Sequence, residues 1–174
     1  MKLPEIDKRS GYSTVHVAKA ILLIGENPVG REKLISRLGL NEAPVRTLLT
    51  RLESSGYVNP TVRGHVLAGK GRKIFSYLKK NIIGPKKIDA EKIALSKYNV
   101  AYLVKKRAGK IRFGVEQRDQ AIVLGADGLT TLVYMNGLVM PAIRWRVSSP
   151  LNGLFEFSNS DVLLIGSAKN ERLA

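Results

Sequence analysis

The stretch of residues 41–56, NEAPVRTLLTRLESSG, decides the fold of the first half of the chain. Asn41 is a suitable N-cap, Pro44 falls in the first turn, where its missing N–H costs little, and Gly56 ends the segment. The apolar residues recur at the period of a helix and form one stripe, namely Val45, Leu48, Leu49 and Leu52. The spacing therefore predicts an amphipathic helix that buries one face and turns the other to solvent.

Two shorter helices are predicted just before this one. The first begins after the candidate cap Ser13, ends near Gly25 and Pro28, and has an apolar stripe of Val17, Ala20, Ile21 and Ile24. The second ends at Gly39 and has on one face Leu34, Ile35 and Leu38. Three helices joined by very short turns are typical of a helix-turn-helix core.

A small β-hairpin and a fourth helix are predicted after the three helices. Residues 57–67 contain two short extended pieces and two turn-forming pairs, Asn59-Pro60 and Arg63-Gly64. The fourth helix follows, with an expected inner face of Ile74, Leu78 and Ile82. Its first residues, 69–73, contain two glycines, two lysines and an arginine but lack the spacing of a phosphate-binding loop, so we interpret them as a helix start.

This order of elements, with the stretches LESSGYV at residues 52–58 and LAGKGR at 67–72, resembles the winged helix-turn-helix transcriptional regulators. The resemblance covers roughly residues 10–82. It implies a DNA-binding domain whose third helix enters the major groove and whose hairpin is the wing. Ala68 departs from the pattern, because many relatives have a Thr cap at that position.

The charge of the chain favours a polyanionic partner. The 174 residues carry 29 Lys and Arg against 14 Asp and Glu, a net charge of +15, and both halves are basic. Each phosphate that a basic side chain neutralises releases counterions and adds affinity that does not depend on sequence. There is no cysteine, no apolar run long enough to span a membrane, and no secretory signal at the start. We therefore expect a cytoplasmic protein without membrane contact.

The exposed side of the helix at 42–55 provides the expected DNA-binding residues, together with the second helix and the wing. Arg46 is the expected base reader, because a guanidinium binds guanine O6 and N7 bidentately. Basic residues of the second helix are better placed for phosphates. The full set is Arg31, Lys33, Arg37, Asn41, Arg46, Thr47, Thr50, Arg51, Arg63 and His65. Two alternatives are a solvated Arg46 paired with Glu42, and a His65 that packs within the wing.

The second half is predicted to be a small two-layer α+β domain with an antiparallel sheet, so the whole chain is of the α+β class. We place the boundary at Pro85, which gives domains 1–84 and 85–174. A helix is expected at 116–124, with Ala121, Ile122 and Leu124 near its buried side. Asn136-Gly137 is a strong hairpin signal. Strands are expected at 97–106, 111–113, 130–134, 138–140 and 161–166, with a last helix beginning at 170–174.

Two stretches of the second half, RDQAI at 118–122 and GADGLTTL at 125–132, carry a further resemblance. They are similar to an uncharacterised domain that follows winged helices in archaeal proteins. The element order is also similar to a small domain inserted in some aspartyl-tRNA synthetases and tRNA-dependent amidotransferases. These resemblances imply an effector-binding or dimerisation domain, or one associated with translation.

Catalysis is not expected from the second half. It contains no histidine and its carboxylates are scattered, so a Ser-His-Asp triad and a His-built metal site are excluded there. Residues 125–131 are interpreted as a helix end and strand start, although a glycine-rich loop of this kind could hold an anion. Trp145, between two arginines, could stack on a base but is interpreted as partial core.

The sequence thus predicts a sequence-specific DNA-binding transcriptional regulator, and no enzyme, cofactor or metal. The expected partners are double-stranded DNA, a second copy of the chain and a possible small-molecule effector, because a dimer reads two half-sites. One alternative is an RNA-binding or translation-associated protein. The other is an enzyme with an N-terminal winged helix.

Overall fold

The computed structural model of the chain describes residues 4, 6, 9–90, 93–147 and 150–170. The chain divides into two compact units, Met1–Lys80 and Asn81–Ala174. The first unit is mainly helical and the second contains an antiparallel sheet of six strands, so the protein belongs to the α+β class as predicted.

Three helices open the first unit: α1 (Thr14–Glu26), α2 (Arg31–Leu38) and α3 (Glu42–Ser54). The apolar stripes predicted for α1 and α3 are fully buried, and in α2 the buried residues are Leu34 and Leu38. Gly39 follows α2 with a φ of 73°, a left-handed conformation that glycine adopts without strain. The three stripes share one hydrophobic core.

The start of α1 is capped by a side chain that the sequence pattern did not indicate. Nδ1 of His16 accepts a hydrogen bond from the backbone N–H of Ser13 at 3.0 Å and lies 2.9 Å from the Ser13 hydroxyl. Burial lowers the pKa of His16, and the nearby Lys19 lowers it further. Both effects favour the neutral ring, which is the form whose Nδ1 can accept a hydrogen bond.

The wing follows α3 as a hairpin of β1 (Val58–Thr61) and β2 (Gly64–Leu67), and α4 (Gly69–Asn81) comes after it. Gly71 is buried, and a β-carbon there would overlap the carbonyl oxygen of Tyr57. This glycine therefore allows α4 to approach the hairpin closely. Ile82, predicted on the inner face of the fourth helix, is instead the first residue of the next strand.

The second unit is built on a six-stranded sheet with the order β3-β4-β8-β5-β6-β7. All of its pairings are antiparallel. The strands are β3 (Ile82–Ile88), β4 (Tyr98–Val104), β5 (Gly128–Tyr134), β6 (Leu138–Met140), β7 (Trp145–Arg146) and β8 (Val162–Ala168). One α-helix, α5 (Val115–Val123), and 3-10 turns at Ala108–Lys110 and Pro150–Gly153 lie between strands in the chain.

The main core of this unit lies on one face of the sheet. Leu163 in β8 pairs with Leu103 in β4 and Leu132 in β5, which makes a fully buried row across three strands. This face packs against residues from the connecting segments, namely Ala90, Val147, Leu151 and Phe155.

Helix α5 packs against β5 on the other face of the sheet. A β-carbon at Gly114, just before α5, would contact the side chain of Thr131. Thr131 and Leu132 are consecutive in β5, so their side chains point to opposite faces of the sheet. The predicted layer of helix on sheet is thus present, but the larger core is formed on the face opposite to the helix.

Several predicted features of the second unit differ in the structure. Residues 111–113 form no strand, because this short segment leads directly into Gly114, whose φ is 83°, and α5. Ile122 is 48% exposed rather than buried. The boundary expected at Pro85 falls inside β3, which pairs with β4, and the chain passes from the first compact unit to the second between Lys80 and Asn81. The helix expected at 170–174 lies outside the described residues except at Asn170, which is in a bend.

Candidate nucleic-acid interface

Helix α3 has two clearly different faces. Its leucine and valine stripe is at most 5% exposed and anchors the helix in the core of the first unit. Because the stripe is held inward, the residues between its members project outward. These outward, exposed residues are Arg46, Thr47, Thr50 and Arg51.

Two carboxylates at the ends of α3 are already paired with basic side chains. Oε1 of Glu42 lies 3.5 Å from Nη2 of Arg31, and Oε1 of Glu53 lies 2.9 Å from Nε2 of His65. Arg46, in contrast, forms no ion pair with any described residue, and neither does Arg51. The alternative pairing of Arg46 with Glu42 is therefore absent from the described part of the chain, and both guanidinium groups keep their donors for a partner.

The exposed face of α3 borders two shallow depressions that share Arg46 and Thr50. One is a groove of about 530 Å³ between α3, the start of α2 and the wing, lined by Gly30, Arg31, Glu32, Arg46, Leu49, Thr50, Glu53 and His65. The other runs along α3 itself and is lined by Arg46, Thr47, Thr50, Arg51 and Ser54. Six of the ten predicted DNA-binding residues thus line one continuous surface, which we call the α3 surface.

The other four predicted residues are exposed but line neither depression. Lys33 and Arg37 are separated by one turn of α2, so they lie on the same side of that helix. Asn41 is the N-cap of α3, without a side-chain capping hydrogen bond. Arg63 lies in the turn of the wing.

Thr47 uses its hydroxyl within its own helix. Its Oγ1 donates a hydrogen bond of 3.0 Å to the carbonyl oxygen of Ala43, one turn earlier. In this rotamer the donor proton is already used, and the γ-methyl group is what Thr47 can offer to an apolar surface such as a thymine methyl.

His65 differs from the other predicted contact residues because it is largely buried. Its side chain is 15% exposed, with Nε2 on Glu53 and Nδ1 3.4 Å from the carbonyl oxygen of Val29. Val29 and His65 also exchange backbone hydrogen bonds of 3.2 and 2.9 Å. The ring therefore joins the wing to α3 and to the segment before α2, as in the wing-packing alternative.

Glu53 is one of the residues of this surface that sequence reasoning missed. It follows Arg46, Leu49 and Thr50 at the spacing i, i+3, i+4 and i+7, which places all four on one side of α3. That spacing could have indicated that Glu53 borders the groove. Its histidine partner could not have been identified in the same way, because it lies on a different element.

The second unit offers less for ligand binding at the positions singled out in the sequence. Residues 125–127 follow the end of α5 and residues 128–131 begin β5, and the Thr130 hydroxyl donates to the carbonyl oxygen of Ile93 at 2.7 Å. Arg118 and Asp119 form an exposed ion pair of 3.2 Å. Trp145 is 48% exposed on the two-residue strand β7, rather than being part of the core.

A buried carboxylate, Asp161, organises the turn before β8. It is 0% exposed and accepts hydrogen bonds from Nζ of Lys105, the backbone N–H of Lys106 and the backbone N–H of Ser158, each at 2.9 Å. Burial alone would raise the pKa of Asp161, but these three donors and the charge of Lys105 hold it below its ordinary value. The group is structural, since all of these donors belong to the fold.

The described residues contain neither a candidate metal site nor a candidate membrane-spanning helix. Among the described residues, no three His, Cys, Asp or Glu side chains come together in a way that could hold a metal ion. No helix in the described part of the chain combines the length and the apolar character needed to cross a bilayer.

The chain is similar to known proteins, but the matching descriptions name no activity. Residues 95–174 match the family described as Domain of unknown function (DUF4443). The chain is also similar to the solved structure of the hypothetical protein PH0730 from Pyrococcus horikoshii OT3, with a TM-score of 0.70 and 26% sequence identity over 93% of this chain and 86% of that one. No curated protein matches the chain. The resemblance of the second half to an uncharacterised archaeal domain agrees with both likenesses.

Proposed function

We propose that this chain is a sequence-specific DNA-binding transcriptional regulator that inserts α3 into the major groove. The observation that carries the proposal is the exposed face of α3, where Arg46 and Arg51 have no ion-pair partner among the described residues. A helix fits the major groove of B-DNA, and side chains projecting from it reach the base edges.

The chemistry of the α3 surface matches base recognition. Arg46 lies at the centre, since it borders both depressions, and its guanidinium can donate two hydrogen bonds to O6 and N7 of guanine. Thr47 presents its methyl group because its hydroxyl is bonded to Ala43. We therefore assign a guanine contact to Arg46 and a thymine contact to Thr47.

The surrounding basic residues match phosphate contacts, which fix position without conveying sequence. Lys33 and Arg37 extend the positive charge along α2, and Arg63 does so at the tip of the wing. The net charge of +15 adds long-range attraction to a polyanion.

The proposed regulator is of an archaeal type and works in the cytoplasm. It binds as a homodimer to a two-fold symmetric DNA site. A single recognition helix contacts only a few base pairs, and a second copy doubles the length of the site. The second unit would supply the dimer contact or bind a small-molecule effector.

The proposal is tested by selecting bound sequences from a random duplex pool with the full-length chain. The affinity for the selected duplex is then compared with that for a scrambled duplex by fluorescence anisotropy at fixed salt. Arg46→Ala is expected to lower the ratio of the two affinities by about tenfold or more, because one bidentate base contact discriminates by about 1–3 kcal/mol. Arg51→Ala added to it is expected to remove the remaining preference.

The matched control is Arg112→Ala, which removes the same charge from an exposed position of the second unit. It is expected to leave the affinity ratio unchanged. The proposal fails if no duplex sequence is enriched, or if the Arg46→Ala, Arg51→Ala variant keeps the preference of the wild type. Stronger binding to structured RNA than to any selected duplex would instead favour the RNA-binding alternative.

A further inference from the structure

Helix α5 exposes apolar residues on the side that does not face the sheet. The side towards β5 is formed by half-buried residues one turn apart, Gln117, Ala121 and Leu124. The opposite side exposes 40% of Val115 and 48% of Ile122. Phe113, just before the helix, is 60% exposed. Exposed apolar residues gathered on one helix face are typical of a binding surface.

Four residues form one stripe on this outer side. Val115, Arg118, Asp119 and Ile122 have the spacing i, i+3, i+4 and i+7, so they follow one another along a single face of α5. We call this set the α5 stripe. The two charged members have side chains that are 48% and 56% exposed, and each is flanked by one apolar member.

The order of chemical types in the α5 stripe is self-complementary. Read from either end, it runs from an apolar residue to a charged one, to the opposite charge, and to an apolar residue. When two such helices lie antiparallel about a two-fold axis, Val115 faces Ile122 of the second copy and Arg118 faces Asp119 of the second copy. Each contact then occurs twice, as a two-fold symmetric interface requires.

The charge of the rest of the protein also favours this surface for self-association. Two copies that each carry a net charge of +15 repel one another over most of their surfaces. Helix α5 (Val115–Val123) carries one Arg, one Glu and one Asp, so it is a locally acidic segment in a strongly basic chain. Two copies can therefore approach through α5 without bringing their excess positive charges together.

We propose that the α5 stripe is the contact through which two copies of this chain form an antiparallel, two-fold symmetric dimer. The role of this dimer in DNA recognition rests on the proposed function, but the contact itself is measured without DNA. At its centre, the ion pair that Arg118 and Asp119 make within one chain becomes a cluster of four alternating charges. The apolar ends of the stripe exclude water on both sides of that cluster.

Sedimentation equilibrium of the full-length chain, without DNA, tests the proposal. The dimer dissociation constant of the wild type is expected to lie below about 0.1 mM. Arg118→Asp makes both central charges negative and Asp119→Arg makes both positive, so each variant alone brings like charges together. Each is expected to raise the dimer dissociation constant by about tenfold or more.

Mixing the two variants provides the decisive measurement. In a mixed dimer, both central contacts join an acid to a base, so an equimolar mixture is expected to dimerise as the wild type does. The double variant Arg118→Asp, Asp119→Arg is expected to recover dimerisation alone for the same reason. Lys97→Asp, which changes the net charge as Arg118→Asp does at an exposed position outside α5, is the matched control and is expected to dimerise normally.

Three results would overturn the proposal. They are a wild type that stays monomeric over the whole concentration range, single variants that dimerise as strongly as the wild type, and a mixture that fails to recover dimerisation. None of these results depends on whether the chain binds DNA. Conversely, loss of sequence preference on duplexes would not change the expected sedimentation behaviour.

Discussion

Nε2 of His65 lies 2.9 Å from Oε1 of Glu53, so a side chain of the wing is bonded directly to α3. The other ring nitrogen of His65 faces the carbonyl oxygen of Val29. Glu53 borders the same groove as Arg46. The position of the wing relative to the α3 surface therefore depends on one histidine with an oxygen atom at each of its ring nitrogens.

Removing the carboxylate at Glu53 is expected to loosen the wing. Glu53→Ala leaves the partly buried Nε2 of His65 without its partner, which costs about 1 kcal/mol. Residue-resolved amide hydrogen exchange should show faster opening in β1 and β2, with little change in the second unit. Glu53→Gln keeps an acceptor oxygen at this position, so it is expected to destabilise the hairpin less than Glu53→Ala does. Equal exchange in wild type and Glu53→Ala would contradict the assignment.

The two glycines at the start of α4 are expected to respond in opposite directions to alanine. Gly71→Ala forces a β-carbon against the carbonyl oxygen of Tyr57 and is expected to destabilise the first unit by about 1–3 kcal/mol. The β-carbon added by Gly69→Ala has no atom within 4 Å. This substitution is expected to be neutral or to stabilise the first unit by up to about 1 kcal/mol, because alanine favours a helix. Hydrogen exchange of α4 amides measures both effects. A tolerated Gly71→Ala would show that the helix and hairpin can separate without cost.

Asp161 is expected to make the second unit sensitive to acid. Because its folded-state pKa is lowered, its stabilising contribution is present at pH values above the ordinary aspartate pKa. This contribution is lost as the pH falls through the lowered value. Asp161→Asn is expected to reduce the free energy of unfolding at neutral pH by about 2 kcal/mol, since the buried hydrogen bonds involve charged groups.

Urea titrations at neutral and acidic pH, followed by the fluorescence of Trp145, measure this effect in the second unit. The wild type should lose stability on acidification, and Asp161→Asn should lose less of it over the same pH interval. Glu156→Gln, at an exposed position nearby in the chain, is the control. An identical pH dependence in Asp161→Asn and wild type would assign the acid sensitivity to other groups.

The basic residues of α2 are expected to contribute to DNA affinity without affecting sequence preference. If the proposed function holds, Lys33→Ala and Arg37→Ala should each remove one phosphate contact and weaken binding to the selected and the scrambled duplex equally. Each should also reduce the slope of log affinity against log salt by about 1. Fluorescence anisotropy at several salt concentrations measures both quantities, with Lys97→Ala as the control. A change in sequence preference in Arg37→Ala would indicate that Arg37 contacts a base rather than a phosphate.

Helical periodicity predicted most of the first unit because its core is built from local repeats. Every member of the stripe on α3 could be identified from spacing alone, since residues three and four apart share a face whatever the rest of the fold does. The turn at Asn136 and Gly137 could also be predicted from local sequence. Their φ angles are 51° and 138°, and Asn and Gly are the residues that adopt positive φ angles most readily.

Features that depend on contacts distant in sequence could not be predicted in this way. Strand β3 (Ile82–Ile88) has two consecutive lysines and a proline, which indicate a domain boundary at Pro85 rather than a strand, and only its pairing with β4 makes it a strand. Residues 111–113 have the opposite property, since their side chains favour a strand but no neighbouring strand pairs with them among the described residues. The partnership of Glu53 with His65 likewise depends on the hairpin returning to α3.

The same strand β3 protects the outer edge of the sheet. It occupies one end of the strand order, where Pro85 has no N–H to offer, Lys86 and Lys87 carry charge, and the pairing register shifts between Ile83 and Lys86. Each of these properties discourages a seventh strand from another molecule from adding to that edge. A segment with the composition of a linker thus serves as a barrier against fibre-like polymerisation of the sheet.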